Sequence, residues 1–133
     1  MPSYEELVDS VIEENRNVLK RVNEKEINQL VNEIVNAKTI QVYAVGRMRL
    51  AALGFAMRLM HMGLDVHMVF DVTCPRIGKG DLLLVNAGVT TMSLGIMNLA
   101  KKAGARVGVV TAYPDNENGR AADFTVKLPG QIF

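Results

Sequence analysis

Apolar residues recur at two different periods along this chain, and the switch between them falls near Thr39. Before it, Tyr4, Leu7, Val8, Val11, Ile12, Val18, Leu19 and Val22 keep the spacing of one helical face. Ser3 followed by Glu6 is a capping-box pattern at the start of that helix. Glu5, Glu6 and Asp9 lie near its positive end, and Lys20 and Arg21 near its negative end, as the helix dipole favours. Asn23 with Glu26 repeats the box, and Ile27, Leu30, Val31, Ile34 and Val35 outline a second amphipathic helix. Residues 1–37 therefore read as a helical N-terminal segment. Its two broad apolar faces suit packing on the chain's own sheet and embracing a neighbouring subunit equally well.

Residues 38–133 read as an α/β core. Short apolar runs at Ile40–Val45, Val66–Phe70, Asp81–Val85, Arg106–Val110 and Phe124–Leu128 predict five strands. Between the first two, Ala52, Phe55, Ala56, Leu59 and Met60 share a helical face that Gly63 ends. A turn-rich connection from Asp71 to Gly80 leads to the third run. After it, Met92, Ile96, Leu99, Ala100 and Ala103 predict a helix stopped by Gly104, and a short helix is expected around Glu117 to Ala122. The near-continuous aliphatics of the third run suit a parallel strand covered on both faces. The alternation specifies one domain over residues 1–133, a three-layer sandwich around a five-stranded, mainly parallel sheet. A sheet of this kind takes a further helix over its last face. The expectation is that this C-terminal helix is missing, or that a partner supplies the cover.

Composition narrows the function classes. The chain has 133 residues, is 49% hydrophobic and 22% charged, and carries a net charge of +1, which gives no electrostatic reason to expect nucleic acid. The start, Met1-Pro2-Ser3-Tyr4-Glu5-Glu6, is no signal peptide, and no apolar run approaches a membrane span. The lone Cys74 makes no internal disulfide and fits a reducing cytoplasm. No Cys/His cluster suggests a metal, and no cofactor is indicated.

The chemistry is expected where strands open into helices, because ligands bind beyond the carboxyl ends of parallel strands, at helix N-termini. At the first junction Gly46 lets backbone approach a ligand, and Arg47 and Arg49 suit bidentate phosphate contact or solvated surface pairs. At the second, Thr90, Thr91 and Ser93 bring three hydroxyls to a helix start, where a cap needs only one. His61 closes the first core helix as a proton carrier or as a helix-end cation; His67 reads as structural. Asp115 and Glu117 follow the fourth strand near the same sheet edge. A single glycine after the first strand argues against a dinucleotide site.

The stretch Gly46-Arg47 with Phe55-Ala56-Met57-Arg58-Leu59-Met60-His61-Met62-Gly63 resembles the sugar isomerase (SIS) domain, especially the 6-phospho-3-hexuloisomerases. The likeness continues through Asp71 to Leu83, Ala100 to Ala105, Val110 to Pro114, Ala121 to Asp123 and Leu128 to Gly130. It implies a flavodoxin-like strand order 2-1-3-4-5, a sugar phosphate as ligand, and a homodimer or homotetramer through the N-terminal helices. Two loops depart from the family pattern. Its Gly-Arg-Ser-Gly loop is here Gly46-Arg47-Met48-Arg49, and its Ser-Gly-Ser-Gly-Glu-Thr loop is Asn86-Ala87-Gly88-Val89-Thr90-Thr91. By this likeness Gly46, Arg47, Met48, Asn86, Gly88, Thr90, Thr91 and Ser93 would bind substrate, and His61 would handle protons. The family's catalytic glutamate stands on a C-terminal helix that this sequence does not contain. Two functions follow: a phosphosugar isomerase, or a phosphosugar-binding module without turnover.

Overall fold

The computed structural model describes residues 1–89 and 91–130. Helices α1 (Tyr4–Lys20) and α2 (Glu24–Asn36) precede strand β1 (Ile40–Tyr43), helix α3 (Gly46–His61) and strand β2 (Val66–Met68). Strand β3 (Leu82–Asn86), helix α4 (Leu94–Lys102), strand β4 (Arg106–Thr111), helix α5 (Glu117–Ala121) and strand β5 (Phe124–Lys127) follow. The sheet runs β2-β1-β3-β4-β5 with every pair parallel. The strand order implied by the family resemblance is thus the order found.

Alternation of side chains along the strands divides the core in two. On one face Ile40, Val42, Leu82, Leu84 and Phe124 pack with Ile34 of α2 and Ala52, Ala56 and Leu59 of α3. On the other, Leu83, Val85, Val107 and Val109 pack with Met97 and Ala100 of α4. Central β3 is buried from both sides, and Leu83 is 0% exposed. Fully burying such a leucine contributes about 1.5–3 kcal/mol. Between α2 and α3 a groove of about 260 Å³ stays open, lined by Leu30, Val42, Ala52, Phe55, Leu84 and Val110 among others.

Two local expectations change, and one open alternative narrows. Ser3 and Glu6 do form the reciprocal capping box, but only half of the second one exists. Asn23 accepts from Lys25 and Glu26 N–H, while the Glu26 carboxylate accepts from Lys127 N–H at 2.8 Å, tying α2 to β5. Helix α4 starts at Leu94 and turns Met97 and Ala100 inward, which leaves Met92 and Leu99 exposed. Helix α1 buries none of its residues; Tyr4, Leu7, Val11, Ile12 and Leu19 are each at least half exposed.

Candidate functional site

The carboxyl edge of the sheet gathers both predicted junctions. Tyr43 and Val85 are paired across β1 and β3, so Gly46 and Gly88 each lie three residues past that pair. Neighbouring strands are about 4.8 Å apart, and the two loops therefore rise side by side. Gly46 has φ +60, which a side chain rarely adopts, and it lets β1 turn straight into α3. The starts of α3 and α4 share a property. Val45 and Ser93 occupy their N-cap positions, and neither makes a side-chain capping bond. Ser3, Asn23 and Asn116 do cap α1, α2 and α5. The two helix starts at this edge therefore keep first-turn N–H groups that no capping side chain occupies, at the positive ends of their dipoles.

Between them is a hollow of about 280 Å³. Gly46, Arg47 and Met48 line it from the first loop, and Asn86, Gly88 and Ser93 from the second; Tyr43, Val45, Ala87, Val89 and Met92 make its apolar wall. Met48 does not fill it. With Asn86, Ala87 and Gly88 it also lines a second hollow of about 130 Å³ toward Thr111 and Gly130, so it stands as a partition. Thr91 is exposed and outside the described lining, and Thr90 lies outside the described residues. Ser93 reaches the hollow, yet it is 2% exposed and its hydroxyl donates to Asn118 Oδ1 at 2.6 Å. That proton is committed within the protein. Arg49 is drawn aside to Asp71 at 3.5 Å.

His61 is not at this edge. It is the last residue of α3, and at 1.5 Å per residue it stands about 22 Å along the helix from Gly46. It belongs to the opposite, amino edge of the sheet, where β1 pairs with the start of β2. On that edge His67 Nε2 meets Asp65 Oδ1 at 2.8 Å, and Asp65 Oδ2 accepts from Thr39 at 2.8 Å. The Thr39 hydroxyl, and then His67, hold the Asp65 carboxyl below its ordinary value of 3.8. Asp115 and Glu117 are exposed and line neither hollow. Burial, and then the nearby Asp71, push the Cys74 thiol above its ordinary value. No group of three potential metal ligands occurs among the described residues.

Sequence reading missed Asn116 and Asn118. Asn116 accepts from Gly119 N–H at 3.1 Å and donates to the Gly88 carbonyl at 3.0 Å. Asn118 is 0% exposed beneath Ser93. The Asn116-x-x-Gly119 pattern after Pro114 signals a helix cap, but not the reach to a loop 28 residues earlier.

No protein-family model matches the chain. It is 32% identical over 128 residues to a 3-hexulose-6-phosphate isomerase of Bacillus subtilis, covering 94% of this chain and 69% of that protein. The chain belongs to the sugar isomerase (SIS) family, beside the 3-hexulose-6-phosphate isomerases. A Mycobacterium gastri 3-hexulose-6-phosphate isomerase is 41% identical over 112 residues, 82% of this SIS chain and 56% of the relative. The chain thus spans roughly half to two thirds of the length of these relatives. A Methanococcus jannaschii crystal structure, described as inferring a 3-hexulose-6-phosphate isomerase function, superposes with a TM-score of 0.83 at 28% identity. It covers 92% of this SIS chain and 72% of that one. Among the described residues no helix is long and apolar enough to cross a membrane.

Proposed function

We propose that this SIS chain is a sugar-phosphate isomerase that moves the carbonyl of a hexulose 6-phosphate between C3 and C2. A base removes the proton on C2, a 2,3-enediol forms, and a proton returns to C3. The C3 carbonyl becomes a hydroxyl while the C2 hydroxyl becomes the new carbonyl. The observation that carries this reading is the pair of helix starts, without capping side chains, that open on one hollow beside Arg47. Helix N-termini and a guanidinium suit a phosphate dianion, and the apolar wall of Tyr43, Val45 and Met92 suits the sugar's C–H faces. The Bacillus and Mycobacterium relatives, both 3-hexulose-6-phosphate isomerases, support the same substrate class.

The described lining holds no carboxylate and no imidazole, so proton transfer needs a group from elsewhere. We assign it to His61 of the partner subunit in a homo-oligomer. The bare apolar face of α1 supports such an assembly, as does a second stripe on α3: Leu50, Leu53, Met57 and Met60, between 39% and 72% exposed. Leu53 and Gly54 mark the midpoint of α3. An antiparallel pairing there would lay His61 of the partner subunit beside Gly46. The lone cysteine and the near-neutral net charge favour a cytoplasmic enzyme of small metabolites over a nucleic-acid binder.

The test is turnover of 3-hexulose 6-phosphate in D2O, with deuterium entering the carbon that receives the proton. A ligand at about 100 times its Kd adds about 2.7 kcal/mol of stability, a shift of several degrees. Stabilisation without turnover would turn the reading to a binding module. Neither turnover nor stabilisation by any hexulose phosphate would overturn it.

A further inference from the structure

We infer that Asn116 and Asn118 are positioning residues that hold the β3–α4 loop in its ligand-binding shape. This rests on the reading of that loop as the phosphate seat, and it adds residues that no part of that reading uses. The loop after β3 is fastened at both ends to the loop after β4. At its beginning the Gly88 carbonyl accepts from Asn116 Nδ2 at 3.0 Å, next to the backbone bond from Ala87 N–H to the Val110 carbonyl at 3.2 Å. At its end the Ser93 hydroxyl donates to Asn118 Oδ1 at 2.6 Å, with both residues almost wholly excluded from solvent. The segment that must present donors to an anion lies between these two points.

The asparagines are themselves held. Asn116 Oδ1 accepts from Gly119 N–H at 3.1 Å, which fixes the amide so that its Nδ2 faces Gly88. Gly119 lies so close to the Pro114 carbonyl that no side chain fits between them. The turn from Pro114 to Gly119 thus carries both amides as a rigid pair. A loop that converges donors on an anion gains affinity when its shape is set before the ligand arrives, because less ordering entropy is lost on binding. Ser93 then serves through its place in this clasp, its proton given to Asn118.

Asn116→Ser tests the first fastening. Serine still caps α5 but is too short to reach Gly88. Binding of fructose 6-phosphate to the full protein is followed by calorimetry, turnover by kinetics, and exchange of the amides of residues 88–92 by hydrogen–deuterium exchange. Losing one such bond is expected to raise Kd and KM about three- to ten-fold, with kcat changed less than about two-fold. Exchange in the loop should quicken without ligand. Ser93→Ala and Asn118→Ala should each weaken binding, and the double variant no more than the worse single one. A lower melting temperature with unchanged Kd and unchanged loop exchange in Asn116→Ser would overturn the inference and leave the phosphate seat standing. Failure of the unaltered protein to bind fructose 6-phosphate would overturn both together. Should Asn118→Ala not fold, Asn116→Ser, at a partly exposed site, still decides.

Discussion

Mixing two disabled chains decides where the imidazole acts. Helix α3 has 16 residues, so His61 and Gly46 of one chain are separated by about 22 Å, several times the reach of a side chain. A single chain therefore cannot bring its own His61 to its own hollow without unfolding the helix between them. His61→Ala removes the imidazole but keeps the hollow; Arg47→Glu reverses the charge at the hollow and keeps the imidazole. Each is expected to be nearly inactive alone while keeping its circular dichroism. In an oligomer assembled randomly from equal amounts of both, a site works when its loops come from the first chain and its histidine from the second. About one site in four meets that condition, whether the assembly is a dimer or a larger closed ring of dimers. Co-expression with two affinity tags, followed by a kinetic assay of the doubly purified species, should recover about a quarter to a half of normal turnover per chain. If His61 served its own chain, every site would carry one lesion, and mixing would restore nothing. Activity no higher than the parents' average refutes the shared site.

Three further outcomes follow from local geometry. Gly119→Ala drives a methyl group into the Pro114 carbonyl and should destabilise the fold by about 1–3 kcal/mol, read from urea unfolding, and weaken ligand binding in parallel. The Asp65 carboxyl lies below its ordinary value of 3.8, so the carboxylate form favours the folded state. Its contribution is present above that value and lost as pH falls through the lower folded one; melting temperatures between about pH 7 and pH 2 should show a flatter acid limb in Asp65→Asn. Cys74 lies above its ordinary 9.0 through burial and then Asp71, so at pH near 8 its reaction with a disulfide reagent should be slower than that of free cysteine. A rate equal to free cysteine would contradict that placement.

The sheet was legible because burial on both faces demands unbroken aliphatics, and Leu82 to Val85 supply them in four consecutive positions. Strand ends were less so. The second apolar run reaches Phe70, yet β2 ends at Met68, because Phe70 takes φ +74 and turns edge-on to Tyr43, with ring centres 6.0 Å apart. Glu26 has the spacing of a capping box, but the Lys127 backbone, 101 residues away, takes its carboxylate. The apolar pattern puts Met92 in the first turn of α4, but the helix begins at Leu94, which turns Met97 inward in place of Met92 and Leu99. The positions of the two loops follow from strand ends alone, which is why Gly46, Arg47, Met48, Asn86, Gly88 and Ser93 meet at one hollow. What no local pattern carries is the partnership of Ser93 with Asn118, 25 residues apart, since it exists only once two loops lie together. His61 is legible as a residue type, but the length of α3 places it at the opposite edge of its own sheet.

That separation gives the exposed apolar surface a chemical meaning. The carboxyl edge offers positive helix ends and a guanidinium, which can hold an anion but cannot move a proton between carbons at neutral pH. An imidazole can, and the same helix that begins at the hollow ends on one at the opposite edge. Two copies related by a twofold axis perpendicular to α3 at its midpoint would bring each hollow to a foreign imidazole in one operation, because such an axis reverses the helix direction. The residues that such a contact would bury are Leu50, Leu53, Met57 and Met60, which are among those left bare when the helix packs on its own sheet through Ala52, Ala56 and Leu59. This outer stripe leaves four large apolar side chains of α3 in water, which a monomer would not favour. In such an assembly the hydrophobic free energy that joins the copies would also complete the site, so a substitution on the outer stripe would lower stability and turnover through the same lost contact.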